Sequence, residues 1–162
     1  TGTGAIALAL AKERPAWSIT ATDYSAEAVA LARLNSQALS LPIELRQSHW
    51  FSALSGRYHL ILSNPPYIDE ADPHLLEGDV RFEPASALVA GAKGLQDLFT
   101  IIEQAPGFLT PGGWLLLEHG WQQATAVVAA LTKRGFIQVR WQPDLAGQPR
   151  MSLGQWPESM HD

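Results

Sequence analysis

From Gly4 to Trp156 the apolar residues switch repeatedly between helical spacing and strand spacing. A chain that alternates in this way folds as an α/β domain with a mostly parallel sheet. Gly4 to Arg14 reads as a helix, with Ile6, Leu8 and Leu10 among alanines and Pro15 as the stop. Trp17 to Thr22 alternates and reads as a strand. Ser25 to Leu39 is the next helix. Ser25 is a good N-cap, and Ala28, Val29, Leu31, Ala32 and Leu39 fall at helical spacing. Ile43 to Gln47 is a short strand. Tyr58 to Ser63 is continuously apolar enough to read as a strand buried on both faces. Gly94 to Gln104 is helical. Pro111-Gly112-Gly113 reads as a turn before the strand Trp114 to Glu118. Trp121 to Lys133 is a helix that stops at Gly135. Phe136 to Trp141 and Arg150 to Trp156 are the last strands.

Two features stand outside this rhythm. Roughly 30 residues between Asn64 and Gly94 show no periodicity, and loops of that length in compact domains are usually functional. The chain also opens on Thr1-Gly2-Thr3-Gly4 directly before a helix. A glycine turn in that position normally follows a strand, so a first, central strand is expected to lie outside this sequence.

Composition narrows the function. The 162 residues suit one domain, residues 1–162. There is no Cys, so thiolate chemistry and disulfides are excluded. The formal net charge is −5 and no Lys/Arg cluster occurs, which disfavours a nucleic-acid partner. Acids crowd one segment, Asp69, Glu70, Asp72, Glu77, Asp79 and Glu83, with only Arg81 opposing. They read as a solvated loop or as a lip that prefers a basic partner. No apolar run reaches the ~18 residues of a membrane span. A soluble, cytoplasmic monomer with no metal is expected.

The motifs point to a nucleoside cofactor and a planar nitrogen. Thr1-Gly2-Thr3-Gly4 offers close backbone approach and the free N–H groups of a helix N-terminus. No Gly-Lys-Ser/Thr follows, so it is not a phosphate-binding P-loop. Asp23 ends the next strand, where an acid can accept hydrogen bonds from both ribose hydroxyls. Trp50, past the strand end at Gln47, is placed to stack on an adenine ring, unless it and Phe51 are core aromatics. Asn64-Pro65-Pro66-Tyr67 is stiff because both prolines fix φ and restrict the residue before them. Two prolines remove backbone donors, and the Asn64 side chain adds an acceptor. An acceptor-rich strand end suits an –NH₂ group with two hydrogens to give, and Tyr67 offers it a flat face.

At these residues the sequence resembles the class I S-adenosylmethionine-dependent methyltransferases, and more closely the release factor glutamine methyltransferases (the PrmC/HemK family). The resemblance runs through Thr1 to Ala9, Ser63 to Asp69, Asp79-Val80-Arg81-Phe82-Glu83-Pro84 and Leu117-Glu118-His119-Gly120. It implies a Rossmann-like sheet, mostly parallel with an antiparallel last strand, and a small helical substrate-binding domain preceding it that is not in this sequence. It implies S-adenosylmethionine as cofactor, held by Thr1, Gly2, Thr3, Gly4, Asp23, Trp50 and Asn64. The substrate residues become Asn64, Pro65, Pro66 and Tyr67, with Asn64, Pro65 and Tyr67 catalytic. The implied substrate is the glutamine of the Gly-Gly-Gln motif in class-1 peptide chain release factors, methylated on the amide nitrogen. A ribosomal-protein glutamine or an adenine or cytosine amine in nucleic acid is the alternative. Relatives commonly carry an acid just before the Trp; this chain has His49. No general base stands out, and His49, His59, His74 and His119 qualify by type only. Arg81 and Glu83 read as a packing ion pair or as residues that order the substrate loop. Glu118 reads as a strand-end acid, either bonded to backbone N–H groups or facing the site.

Overall fold

The computed structural model describes residues 1–65 and 95–158. The chain divides into two compact units, Thr1–Ser55 and Gly56–Asp162.

In the first unit, α1 (Ala5–Glu13) is followed by β1 (Thr20–Asp23), α2 (Ala26–Leu39) and β2 (Glu44–Gln47). β1 and β2 pair in parallel, Thr20 opposite Glu44 through Asp23 opposite Gln47. Ser25 caps α2 as expected, its hydroxyl accepting from the Ala28 N–H at 3.2 Å. Only Val29 and Ala32 of α2 are buried, while Leu31 and Leu39 are exposed. β1 starts at Thr20 rather than at Trp17. The chain leaving α1 first makes a turn, with the Trp17 N–H on the Arg14 carbonyl. The Arg14 guanidinium lies 5.9 Å from the Trp17 ring.

The second unit contains β3 (Tyr58–Ser63), α3 (Gln96–Gln104), β4 (Leu109–Glu118), α4 (Ala124–Arg134), β5 (Ile137–Pro143) and β6 (Pro149–Gln155). Its sheet has the order β3-β4-β6-β5. β3 and β4 are parallel, and β6 runs antiparallel to both β4 and β5. The antiparallel last strand is therefore as expected, and it lies inside the sheet. Within the described residues each unit is α/β, with the parallel pairs at β1/β2 and β3/β4.

Pro111-Gly112-Gly113 is not a turn between elements. It lies inside β4, where Leu109 pairs with Tyr58 and Trp114 with Leu60, so five steps along β4 match two along β3. Gly112 has φ +75°. A Cβ on Gly113 would lie 2.9 Å from the Thr110 carbonyl oxygen, so only glycine fits the looped-out backbone. β3 is half-buried along most of its length rather than sealed on both faces.

The core sits on one face of β4. Leu115 and Leu117 are fully buried with Leu98, Ile101 and Ile102 of α3 and Val127 and Leu131 of α4. The intervening Trp114, Leu116 and Glu118 are half-exposed on the other face. Gly135 stops α4 with φ +104°. We predict that Leu117→Ala destabilises the chain by about 2–5 kcal/mol in denaturant unfolding. A loss below ~1 kcal/mol would show that β4 is not the spine of this core.

Candidate functional site

In the first unit the glycine turn and Asp23 are brought together. The Gly2 N–H donates to the Asp23 carboxylate at 2.8 Å, as does the Thr1 nitrogen at 2.7 Å. The Ser25 N–H donates to its other oxygen at 2.9 Å. Burial raises the Asp23 carboxyl, but the hydrogen bonds from the Thr1 nitrogen, Gly2 and Ser25 outweigh it and hold the group below its ordinary value. Both glycines are left-handed, Gly2 at φ +54° and Gly4 at φ +82°. Their roles differ. A Cβ on Gly4 would press on the Ala32 Cβ at 3.1 Å, so Gly4 serves the packing of α1 on α2. A Cβ on Gly2 would meet nothing within 4 Å, so Gly2 faces open space. No side chain caps α1, which leaves its first N–H groups presented by the turn. The Asn35 amide, on α2, donates to the Thr3 carbonyl at 2.9 Å and ties the turn down. Sequence reasoning missed Asn35; a polar residue in the middle of a helix was the available signal.

At the carboxyl end of β2, Phe51 is buried and Trp50 is half-exposed. Trp50 has φ +50°, a conformation bulky residues rarely adopt. It is held there by Ser48, whose hydroxyl donates to the Trp50 carbonyl at 2.9 Å and accepts from the Ala53 N–H at 3.0 Å. Strain of this sort costs roughly 1–3 kcal/mol and clusters at functional sites. His49 is exposed, edge-on to Tyr24 with ring centroids 5.8 Å apart. The Ser48 N–H donates to the Asp23 carbonyl, which joins the two strand ends. Asp23, Tyr24, His49 and Trp50 thus share one end of the parallel pair.

In the second unit β3 and β4 end together. Ser63 pairs with Leu117 in parallel register, so Asn64 leaves the sheet beside Glu118. Asn64 is exposed and Pro65 buried. Pro66, Tyr67, His74, Arg81, Glu83 and the acidic segment lie outside the described residues. Among the described residues the Glu118 carboxylate makes no hydrogen bond or ion pair, so the reading of it as bonded to backbone N–H groups does not hold there. His119 continues the buried face of β4 and is fully buried. Its Nδ1 lies 2.9 Å from the Gly120 carbonyl oxygen, which can only accept. Nδ1 therefore carries the proton, and Nε2 accepts from the Ser152 hydroxyl at 2.7 Å. Burial lowers its pKa; the Gly120 carbonyl opposes this and Arg150 reinforces it. His119 is thus a packed, neutral residue rather than a base in an open site, and His59 is exposed on β3. Ser152, fully buried in an otherwise apolar stretch, was the unnoticed partner. Among the described residues no group of acids and histidines could hold a metal ion, and no helix is long and apolar enough to cross a membrane.

Known proteins resemble this chain in sequence and in fold. The family model "Methyltransferase small domain" matches residues 1–76. The release factor glutamine methyltransferase of Pseudomonas aeruginosa is 60% identical over 149 residues, which cover 91% of this chain and 54% of that protein. The Escherichia coli protein of the same name is 53% identical over 158 residues, covering 96% and 57%. Over almost its whole length this chain is similar to proteins named release factor glutamine methyltransferase. It spans a little over half the length of those relatives. Among solved structures, a methyltransferase from Pyrococcus furiosus superposes with a TM-score of 0.70 at 21% identity, covering 95% of this chain and 70% of that one. A ribosomal protein L11 methylase from Lactobacillus delbrueckii gives 0.67 at 20% identity, covering 95% and 65%. These two likenesses establish the methyltransferase fold.

Two pH effects follow from the site. Asp23 binds its proton less readily folded than unfolded, so its contribution to stability is present above the ordinary Asp value of about 3.9 and is lost as pH falls below it. Wild type and Asp23→Asn should therefore differ in melting temperature at pH 7 and converge in strong acid. His119 takes up its proton more readily when unfolded, so stability falls as pH drops below about 6.5. Melting temperatures measured between pH 7.5 and 5 should decline less steeply in His119→Asn than in wild type; parallel slopes would contradict a buried neutral imidazole.

Proposed function

We propose that this chain transfers a methyl group from S-adenosylmethionine to the side-chain amide nitrogen of the glutamine in the Gly-Gly-Gln motif of class-1 release factors. The observation that carries this reading is the strand end Ser63-Asn64-Pro65, where acceptors stand beside the end of β4. Identities of 53–60% to proteins named for that reaction support it. Residues 1–162 supply the catalytic domain, acting in the cytoplasm as a monomer.

The first unit fits the cofactor. Gly2 faces open space, α1 presents uncapped N–H groups, and Asp23 is kept ionised by its hydrogen bonds. Thr1 to Gly4 would hold the amino-acid portion, Asp23 the ribose and Trp50 the adenine side. When bound, the cofactor supplies an electrophilic methyl group on a sulfonium.

The task left to the protein is a weak nucleophile. An amide nitrogen has its lone pair delocalised into the carbonyl, and rotation about such a bond costs ~18–20 kcal/mol. The Asn64 side-chain oxygen and the Pro65 carbonyl would accept the two amide hydrogens, which aims the nitrogen and increases its electron density. Pro66 and Tyr67 would complete the pocket, Tyr67 by stacking on the planar amide. Most of the rate gain is then orientation and electrostatic preorganisation.

S-adenosylmethionine should raise the melting temperature of the wild type, and Asp23→Ala should abolish that rise. Asn64→Ala should slow methyl transfer by roughly 10²–10³-fold, the cost of removing a preorganised polar contact. A rate within about threefold of wild type would contradict the assigned role of Asn64.

A further inference from the structure

We propose that Glu118 is a specificity residue at the acceptor site, its carboxylate selecting a carboxamide substrate over the isosteric carboxylate. The inference rests on the function proposed above. Three observations carry it. In a parallel pair, residues in register share a face, and Leu60/Trp114 and Leu62/Leu116 are partners on the half-exposed face of β4. Ser63 pairs with Leu117 as the last step of that register, so the chain leaves β3 at Asn64 next to the end of β4 at Glu118, across a strand spacing of about 4.8 Å. Second, among the described residues the Glu118 carboxylate is half-buried and has no partner. A half-exposed carboxylate without a protein partner keeps its acceptor capacity for a ligand. Third, its position is fixed from beneath. The next residue, His119, donates its backbone N–H to the Arg150 carbonyl at 2.9 Å and bonds Ser152 through Nε2. The Gly120 N–H donates to Gln123 Oε1 at 2.9 Å. Glu118 itself pairs with Met151 across β4 and β6.

The acceptor end then brings together three acceptors: Asn64 Oδ1, the Pro65 carbonyl and the Glu118 carboxylate. Such a site accepts a group that donates N–H. A glutamate side chain has the same shape as glutamine but brings a negative charge and no N–H. Glu118 adds like-charge repulsion to that mismatch, the repulsive half of a specificity device.

The test is equilibrium binding of two synthetic peptides to the full-length gene product, one containing Gly-Gly-Gln and the other Gly-Gly-Glu. Wild type should prefer the glutamine peptide by at least about tenfold. Glu118→Gln should lower that preference by at least about threefold, mainly by tightening the glutamate peptide. Glu118→Asp should keep the preference, and neither change should alter the melting temperature. An unchanged ratio in Glu118→Gln overturns the inference. A wild type that methylates the glutamine peptide while that ratio stays fixed overturns this inference alone. A wild type that neither binds nor methylates the glutamine peptide overturns both this inference and the proposed function.

Discussion

The pairing of β4 on both sides is the constraint on which the second unit depends. β3 lies parallel on one side and β6 antiparallel on the other. Leu115, Leu117 and His119 are buried in succession on one face, and each is held where the neighbouring strands leave it. Because β3 and β4 run in the same direction, their carboxyl ends coincide. The carboxyl ends of parallel strands are where open α/β sheets bind ligands. The position of Asn64 is thus a consequence of register before it is a matter of loop chemistry.

The first unit solves a similar problem with a carboxylate. Asp23 ends β1, and one oxygen receives the turn before α1 while the other receives the N–H preceding α2. A single side chain therefore fixes the glycine turn to the strand end. Under the proposed function, its remaining acceptor capacity would serve a ribose. Asn35 and Ala32 complete the arrangement from α2, one by a hydrogen bond and the other by leaving room for Gly4.

Much of this was legible in the residues themselves. Ser25 and Gly135 mark their helix ends by local chemistry, a hydroxyl acceptor and a left-handed backbone, which need no tertiary context. The apolar run at β3 marked a strand, though its burial depended on neighbours that a run cannot reveal. Pro111-Gly112-Gly113 carried turn chemistry, yet the flanking residues pair on the same partner strand, so the same residues form an irregularity within β4. Trp17 alternated like a strand residue but was claimed by the Arg14 turn. At the site, Asp23 and Asn64 could be placed from spacing at strand ends. Asn35, Ser48, His119 and Ser152 could not, because each acts through a partner far away in sequence or through a turn whose geometry no period encodes.

Tandem mass spectrometry of a class-1 release factor, after incubation with S-adenosylmethionine and the full-length gene product, tests the central claim most directly. A single added methyl on the amide nitrogen of the Gly-Gly-Gln glutamine is the expected result. A release factor that stays unmodified while the protein demonstrably binds S-adenosylmethionine would contradict it.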